Sequence, residues 1–281
     1  MKIITDSTVD LPQDLVQEYD IGIVPLTIHL GEKSWKDFYE IQPDEYCSLL
    51  RRSTDFPTTS QPSPQDFINA FAPFAAQGEP VLCVNLASRL SGTYQSALLA
   101  KDHFPGARIE VVDSLQASMG LGLIILLCAR KANRGASFED VAGFAGELAR
   151  KVETYFSVDS LDYLQRGGRI GKAQAFLGAL MKVKPLLHLV EGEVLPVEKI
   201  RTTERLLNRF VEIVGEEAGG HSHILLSMAD IGNGEAATEL LQRFLKIPGL
   251  SLVYRGKIGG VIASHVGPGG LGVSFLKVTD E

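Results

Sequence analysis

Three short segments rich in hydroxyl side chains are the best candidates for ligand chemistry in this sequence. They are PTTSQPSP at 57–64, LSGTYQSA at 90–97 and SHVGPG at 264–269. The hydroxyls of the first two precede predicted helices, where unpaired backbone N–H groups and the positive helix end attract an anion. Helix capping by Ser63 and Ser91 is an equally simple explanation. Because no pair of cations accompanies the hydroxyls, these segments suit a single carboxylate better than a polyphosphate.

Other motifs resemble ligand sites, but the residues around them do not match the patterns that those sites require. Residues 267–272 (GPGGLG) have the glycine spacing of a dinucleotide loop, but the helix and acidic residue that such a loop requires do not follow. Residues 168–172 (GRIGK) lack the spacer and the Ser/Thr of a phosphate loop. No GxSxG is present, and His221 and His223 have no third metal ligand at recognisable spacing. We therefore expect a bound ligand but no nucleotide, metal or other cofactor.

The composition is that of a globular protein of about two domains. The chain has 281 residues, of which 45% are hydrophobic and 22% are charged. Its net charge of −7 and the absence of Lys/Arg clusters disfavour nucleic acid and anionic membranes as partners. Three cysteines without a CxxC motif predict buried free thiols in a reducing compartment. With no signal sequence and no apolar run of membrane-spanning length, we expect a cytoplasmic protein.

The first half of the chain alternates short apolar strands with helices. Predicted strands lie at 2–5, 21–30 (bent or ended near Pro25), 81–86 and 108–112, and predicted helices at 43–52, 63–77, 92–104, 116–133 and 138–151. Asp10 is expected to cap a further helix that starts near Pro12. This order predicts a mainly parallel sheet covered by helices, with ligands bound beyond the carboxyl ends of the strands. The loops at 6–8, 86–93 and 113–114 are therefore expected at the site.

After about residue 155 the pattern changes to an α+β arrangement. Predicted strands lie at 183–190, 194–199, 224–228, 251–254 and 261–265, and predicted helices at 173–181, 203–217 and 235–246. We therefore predict an α/β protein with an N-terminal domain at 1–155 and a C-terminal α+β domain at 156–281. The ligand is expected between the two domains.

Six motifs, in order along the chain, point to a known family. They are Thr5-Asp6-Ser7-Thr8-x-Asp10-Leu11, Thr59-Ser60-Gln61-Pro62-Ser63, residues 90–97, Asp113-Ser114, Tyr163-Leu164-x-Arg166-Gly167-Gly168-Arg169-Ile170 and Ser264-His265-Val266-Gly267-Pro268-Gly269. From about residue 3 to about residue 276 the sequence resembles the DegV family of bacterial fatty-acid-binding proteins. The resemblance implies a carrier rather than an enzyme. Such a carrier holds a long-chain fatty acid such as palmitate and presents it to a separate ATP-dependent fatty acid kinase.

The resemblance also implies which residues hold the ligand. Thr59 and Ser91 match family positions whose hydroxyls bind the fatty-acid carboxylate, and Gly92 matches a position of close backbone approach. His265 matches a histidine near the same head group. A buried carboxylate needs such partners, because leaving it unpaired costs several kcal/mol. Five apolar residues are candidates for lining a tunnel for the acyl chain, although they suit an ordinary core equally well: Leu26, Ile28, Phe176, Leu177 and Leu180.

Two arginines are candidates for contact with the kinase and for transfer of the head group. Arg201 matches a family arginine implicated in that transfer, and Arg169 is the second candidate. In relatives the segment around Arg201 is richer in Lys and Arg, whereas Thr202, Thr203 and Glu204 follow it here.

Two other functions are compatible with the same residues. Ser91 with His265 would serve as nucleophile and base in a lipid hydrolase or acyl-transferase, but the sequence shows neither an elbow motif nor a carboxylate partner for the histidine. A regulatory protein that responds to lipid would use the same binding site. The resemblance favours the carrier, for which no catalytic residue is assigned.

Overall fold

The computed structural model describes residues 1–178, 183–217 and 223–278. In chain order the strands are β1 (Lys2–Asp6), β2 (Gly22–Val24), β3 (Thr27–Leu30), β4 (Lys33–Lys36), β5 (Thr58–Ser60), β6 (Val81–Asn85), β7 (Ile109–Asp113), β8 (Glu153–Ser157), β9 (Lys184–Val190), β10 (Glu193–Ile200), β11 (His223–Asp230), β12 (Leu250–Lys257) and β13 (Leu271–Val278). The α-helices are α1 (Gln13–Glu18), α2 (Pro43–Arg52), α3 (Pro64–Ala76), α4 (Thr93–Lys101), α5 (Met119–Asn133), α6 (Phe138–Lys151), α7 (Asp162–Arg166), α8 (Thr203–Glu217), α9 (Gly234–Phe244) and α10 (Gly260–Val266). Two 3₁₀ helices lie at Ser7–Val9 and Gly171–Phe176.

A four-stranded parallel sheet forms the first half, in the order β2-β1-β6-β7. Helices cover both of its faces, with α3 and α4 on one side and α5 and α6 on the other. Every residue of β6 is buried, which explains why its sequence is a continuous apolar run rather than an alternation. Because the strands are parallel, the loops after β1, β6 and β7 lie at one edge of the sheet, as predicted.

A six-stranded mixed sheet forms the second half, in the order β10-β9-β8-β13-β11-β12. β11 and β12 run parallel, and the other neighbouring strands run antiparallel. An apolar cluster under α8 and α9 covers the outer face. α5 packs on the inner face as well as on the parallel sheet. Residues 119–126 are consequently buried on all sides, as a helix that is apolar all round requires.

A small antiparallel sheet, in the order β4-β3-β5, connects the two halves. Its strands β3 and β5 pack against α10, which belongs to the second half of the chain. Ile28 of β3 is fully buried, and a Cβ at Gly260 would overlap its side chain. This close packing holds α10 beside β5, the strand that carries Thr59.

The predicted α/β class is confirmed, with two corrections close to the site. Residues 261–265, predicted to be a strand, lie in α10. The apolar run is short and begins with β-branched residues, so its periodicity does not separate a helix from a strand. The prediction that Asp10 caps the first helix is also wrong, because Pro12 is the N-cap residue of α1. Asp10 instead ends the first 3₁₀ helix with a left-handed φ of 47°.

The other differences lie in both halves. In the first half, β4 and β5 are absent from the predicted elements, and the strand predicted at 21–30 divides near Pro25 into β2 and β3. The helix predicted at 173–181 is replaced by the 3₁₀ helix at Gly171–Phe176, and residues 179–181 lie outside the described residues. β13 lies within the six-stranded sheet but is absent from the predicted elements. The boundary at residue 155 falls inside β8, and the division into two domains stays a prediction. In the described ranges no helix has both the length and the apolar character needed to cross a bilayer.

Candidate functional site

A cavity lies between the two large sheets, and both halves of the chain contribute to its wall. Its volume is about 150 Å³. The wall is mainly apolar and includes Leu26, Leu86, Leu90, Met119, Phe156, Leu164, Leu189 and Val194. Five of the eight polar residues in the described wall, which we call the polar cluster, are Thr59, Gln61, Ser91, Arg169 and His265. The cavity thus combines a mainly apolar wall with a group of hydrogen-bonding side chains.

Strand pairing places Thr59 in the polar cluster. β5 pairs with β3, so Thr59 lies opposite Ile28. The Thr59 side chain is half-buried, and its Oγ1 lies 2.9 Å from Nε2 of His265. A hydroxyl donates one hydrogen bond and accepts others. Thr59 can therefore bind the histidine and a ligand at the same time.

His265 is neutral at physiological pH. Its burial, with the Arg169 charge nearby, lowers the pKa of the imidazole to about 4. Nδ1 is buried and has no hydrogen-bond partner among the described residues. Because a buried N–H without a partner is rarer in native structures than an unused acceptor, we assign the proton to Nε2. His265 then donates to Thr59 Oγ1, which leaves the Thr59 hydroxyl hydrogen for an anionic ligand.

The imidazole of His265 is held by close contact with the backbone. Gly167 follows α7, and a Cβ at this position would overlap Nδ1 of the ring. The φ of Gly167 is −72°, a value that any residue adopts. Glycine is therefore required here by the contact with the ring and not by the backbone conformation.

Ser91 lies immediately before α4. Its Oγ accepts a hydrogen bond from the Thr93 N–H at 3.3 Å and lies 2.9 Å from Thr93 Oγ1. Gly92 is the N-cap residue of α4, and a Cβ there would overlap the amide of Gln61. Gln61 in turn donates to Ser96 Oγ at 3.2 Å and so joins the segment after β5 to α4. Ser91 therefore accepts from the first amide of the helix and also borders the cavity.

Arg169 brings a positive charge to the polar cluster. Its side chain is half-buried, and Nε donates to the Leu90 carbonyl at 3.0 Å while Nη1 donates to the Gly167 carbonyl at 2.6 Å. Both acceptors are neutral, and none of the ion pairs among the described residues involves Arg169. The guanidinium is thus fixed in position while its charge stays available to an anion.

The structure brings together four of the six site residues predicted from the sequence: Thr59, Ser91, Arg169 and His265. Arg201 lies after β10 with an exposed side chain, outside the cavity wall and without a hydrogen bond or ion pair to the described residues. Gly92 lies behind the wall, against Gln61. Of the apolar residues predicted for the tunnel, Leu26 is in the wall, whereas Ile28, Phe176 and Leu177 are packed elsewhere and Leu180 lies outside the described residues.

Sequence reasoning missed four polar wall residues: Gln61, Ser118, Thr154 and Ser157. Thr154 donates to Gln116 Oε1 at 2.7 Å and lies 2.7 Å from Ser274 Oγ, so its hydroxyl is already paired. Ser118 precedes the apolar helix α5, a position that would have indicated a helix start. Thr154 and Ser157 lie on β8, where nothing in the sequence indicates which side chains face the cavity.

The arrangement suits binding of a carboxylate better than nucleophilic catalysis. A serine hydrolase requires its serine on one histidine nitrogen and an acidic group on the other. Here Thr59 occupies Nε2 of His265, Ser91 bonds to Thr93, and Nδ1 has no partner in the described part of the chain. In the same ranges no three His, Cys, Asp or Glu side chains are grouped as a metal site would require.

Comparison with known proteins gives a consistent result. Residues 1–278 match the family model described as uncharacterised proteins of the DegV family. A DegV domain-containing protein of Streptomyces coelicolor is 36% identical over 273 residues, which cover 96% of each chain.

Solved structures with the same fold include proteins described as fatty-acid-binding. A DegV family protein from Thermus thermophilus, described for its fatty acid binding, superposes with a TM-score of 0.92 at 38% identity over 99% of both chains. A stearic-acid-binding protein from Eubacterium ventriosum gives a TM-score of 0.89 at 30% identity over 98% of both chains.

Proposed function

The chain belongs to the DegV family, and from this premise we propose that it binds one long-chain fatty acid in the cavity between its two large sheets. The single observation that carries the proposal is the combination in one cavity of a mainly apolar wall with the polar cluster. The description of the Eubacterium ventriosum relative as stearic-acid-binding supports the same class of ligand.

The fatty-acid carboxylate is proposed to bind to the polar cluster. Thr59 and Ser91 would donate their hydroxyl hydrogens, while the guanidinium of Arg169 supplies the compensating charge. The neutral imidazole of His265 orients the Thr59 hydroxyl through the Nε2 hydrogen bond. Because hydrogen bonds to a charged group are stronger than neutral ones, two hydroxyls and one arginine satisfy a buried carboxylate.

The acyl chain supplies most of the binding free energy. Burying about fourteen methylenes at ~0.8 kcal/mol each gives an upper limit near 11 kcal/mol. The loss of translational and conformational freedom offsets several kcal/mol of this gain. The remainder is enough for a carrier that keeps its ligand during purification.

Presentation of the fatty acid to a separate ATP-dependent kinase is the second part of the proposal. Arg201 is proposed to contact that partner, because its guanidinium is exposed and unpaired among the described residues. Such a carrier would have no catalytic residue of its own and would work in the cytoplasm. The three buried free thiols are compatible with that reducing compartment.

Lipid extraction tests the binding proposal directly. Purified protein is denatured, extracted and analysed by mass spectrometry, and we expect close to one fatty acid per chain. Delipidated protein should then take up palmitate or oleate. If no fatty acid is extracted and neither acid is taken up, the proposal is wrong.

A second measurement separates carrier from presenter and from enzyme. Loaded protein is mixed with ATP and the catalytic protein of a fatty acid kinase, and acyl phosphate is measured. Bound lipid without acyl phosphate formation would leave the proposed carrier function intact and contradict the proposed presentation to a kinase. Turnover of acyl esters by the protein alone would instead support the hydrolase.

A further inference from the structure

The motif Asp6-Ser7-Thr8-x-Asp10 contributes no side chain to the described cavity wall, although both of its carboxylates are buried. The partners of Asp6 are within the first half: Thr8, Asn85 and the Leu86 N–H. Asp10 differs, because its partners belong to two distant segments of the chain. A buried carboxylate is costly unless it is paired, so these partners define what Asp10 does.

Asp10 joins the starts of two helices. Its Oδ1 accepts a hydrogen bond from the Gly259 N–H at 2.8 Å, and its Oδ2 accepts one from the Ser118 hydroxyl. Ser118 precedes α5 and Gly259 precedes α10. Asp37 makes a parallel contact, since its Oδ1 accepts from the Gly260 N–H at 3.0 Å. Carboxylates from the first half therefore hold the first two free amides at the start of α10.

The backbone at Asp10 is packed closely against two glycines, although the residue also borders a second cavity of about 350 Å³. A Cβ at Gly256 would lie 2.6 Å from the Asp10 carbonyl oxygen, and a Cβ at Gly122 would lie 2.7 Å from the carbonyl oxygen of Val9. Tyr46 pins the other part of α10, with its hydroxyl 2.6 Å from Ser264 Oγ. His265 is the next residue, so the position of its ring depends on how α10 is held.

We propose that Asp10 is a positioning residue of the binding site, which fixes α10 against the start of α5 and thereby holds His265 Nε2 against Thr59. Its effect on ligand affinity rests on the proposed function. Its effect on His265 does not, because the histidine can be observed in protein without ligand.

The experiment compares two substitutions at Asp10 by NMR titration of the His265 imidazole in delipidated protein. Asp10→Gly removes the carboxylate while tolerating the left-handed φ of 47°. Asp10→Asn keeps an acceptor for the Gly259 N–H and can donate to the Ser118 oxygen. In Asp10→Gly we expect the titration midpoint of His265 to rise from about 4 toward 6.5 as water reaches the ring. Asp10→Asn should stay close to the unsubstituted protein.

Two further variants keep the proposal testable. Gly259→Ala attacks the same contact from the other side, because its Cβ would lie 2.7 Å from Asp10 Oδ1, and it is informative even if Asp10→Gly does not fold. Val214→Ala, in α8 under the outer face of the six-stranded sheet, is the control for loss of stability alone. It should lower stability without moving the His265 midpoint.

Oleate affinity provides the second readout, and we expect the dissociation constant to rise roughly tenfold in Asp10→Gly and in Gly259→Ala. An unchanged His265 midpoint in both variants would overturn the proposal, as would an Asp10→Asn variant that behaves like Asp10→Gly. A shifted His265 midpoint with no oleate binding in any variant, including the unsubstituted protein, would support the positioning role and refute the proposed ligand.

Discussion

The two sides of the polar cluster are built differently. On one side, Thr59, Gln61 and Ser91 come from the segments before α3 and α4 and offer neutral hydroxyls and an amide. On the other side, Arg169 and His265 come from the second half and are fixed by backbone carbonyls, by Gly167 and by the packing of α10. The first side supplies hydroxyl and amide donors that can rotate. The second side supplies the positive charge of Arg169 and the imidazole of His265, which orients the Thr59 hydroxyl. Fatty-acid affinity should therefore depend on both sides. Within the polar cluster, the pH dependence of the free energy of unfolding should come from the second side, which contains the imidazole of His265.

The largest effect is expected on the hydroxyl side. Thr59→Ala and Ser91→Ala each remove a proposed donor to the fatty-acid carboxylate, which should cost about 1.5–3 kcal/mol of binding free energy. The dissociation constant for oleate should rise roughly tenfold to hundredfold, as measured by fluorescence displacement or calorimetry.

Arg201→Ala is the matched control for these variants, because Arg201 lies outside the cavity wall. It should keep normal fatty-acid content and lower only acyl phosphate formation with the proposed kinase partner. Normal affinity in both hydroxyl variants, together with loss of lipid from Arg201→Ala, would reverse the assigned roles.

A smaller effect is expected from the pH dependence of His265. Its pKa is about 4 in the folded protein and near 6.5 when unfolded, so between these values the unfolded chain binds a proton that the folded protein does not. This histidine should therefore lower the free energy of unfolding by about 2 kcal/mol as the pH falls from 7 to 4.5.

Asp37 acts in the opposite direction, because burial raises its pKa from 3.8 to about 6 and the folded protein takes up the proton first. The two contributions oppose each other in the unsubstituted protein, so the measurement is a difference. In ligand-free protein, His265→Gln should gain about 2 kcal/mol relative to the unsubstituted protein between pH 7 and pH 4.5 in denaturant unfolding. A constant difference across that range would contradict the neutral, buried histidine.

The smallest effect is expected from alanine substitution of two glycines, one on each side of the polar cluster. Gly92 and Gly167 both have ordinary negative φ values, so alanine tests only the contact at each position. At Gly92 the new methyl meets the end of the flexible Gln61 side chain, which can move aside. At Gly167 it meets the His265 ring and the Tyr163 carbonyl oxygen, which cannot.

Overpacking of a rigid contact costs about 1–3 kcal/mol, and we expect this loss of unfolding free energy in Gly167→Ala. Less than about 1 kcal/mol is expected in Gly92→Ala. Equal losses in thermal or denaturant unfolding would show that the two sides are equally adjustable.

The sequence by itself determined the elements whose local signals are strong. α2, α6 and α8 have the bounds that the pattern predicts, and Ser63 caps α3 with a reciprocal bond to Asp66 as the Ser-Pro signal indicates. The parallel direction of the strands in the first sheet was also predicted from the alternation of strands and helices. These features depend on neighbours in the chain, and the amino-acid types of those neighbours are visible in the sequence.

Tertiary structure determined the side of the polar cluster that contains His265. The helical state of residues 261–265 comes from packing against β3 and β5 and from the bonds that Asp10 and Asp37 make to its first amides. The pairing of His265 with Thr59 joins residues 206 positions apart in sequence. Periodicity in a five-residue run carries no information about such partners, because the run is compatible with helix and strand alike. The sequence therefore determined which groups were available for a carboxylate, and only the fold determined which of them meet.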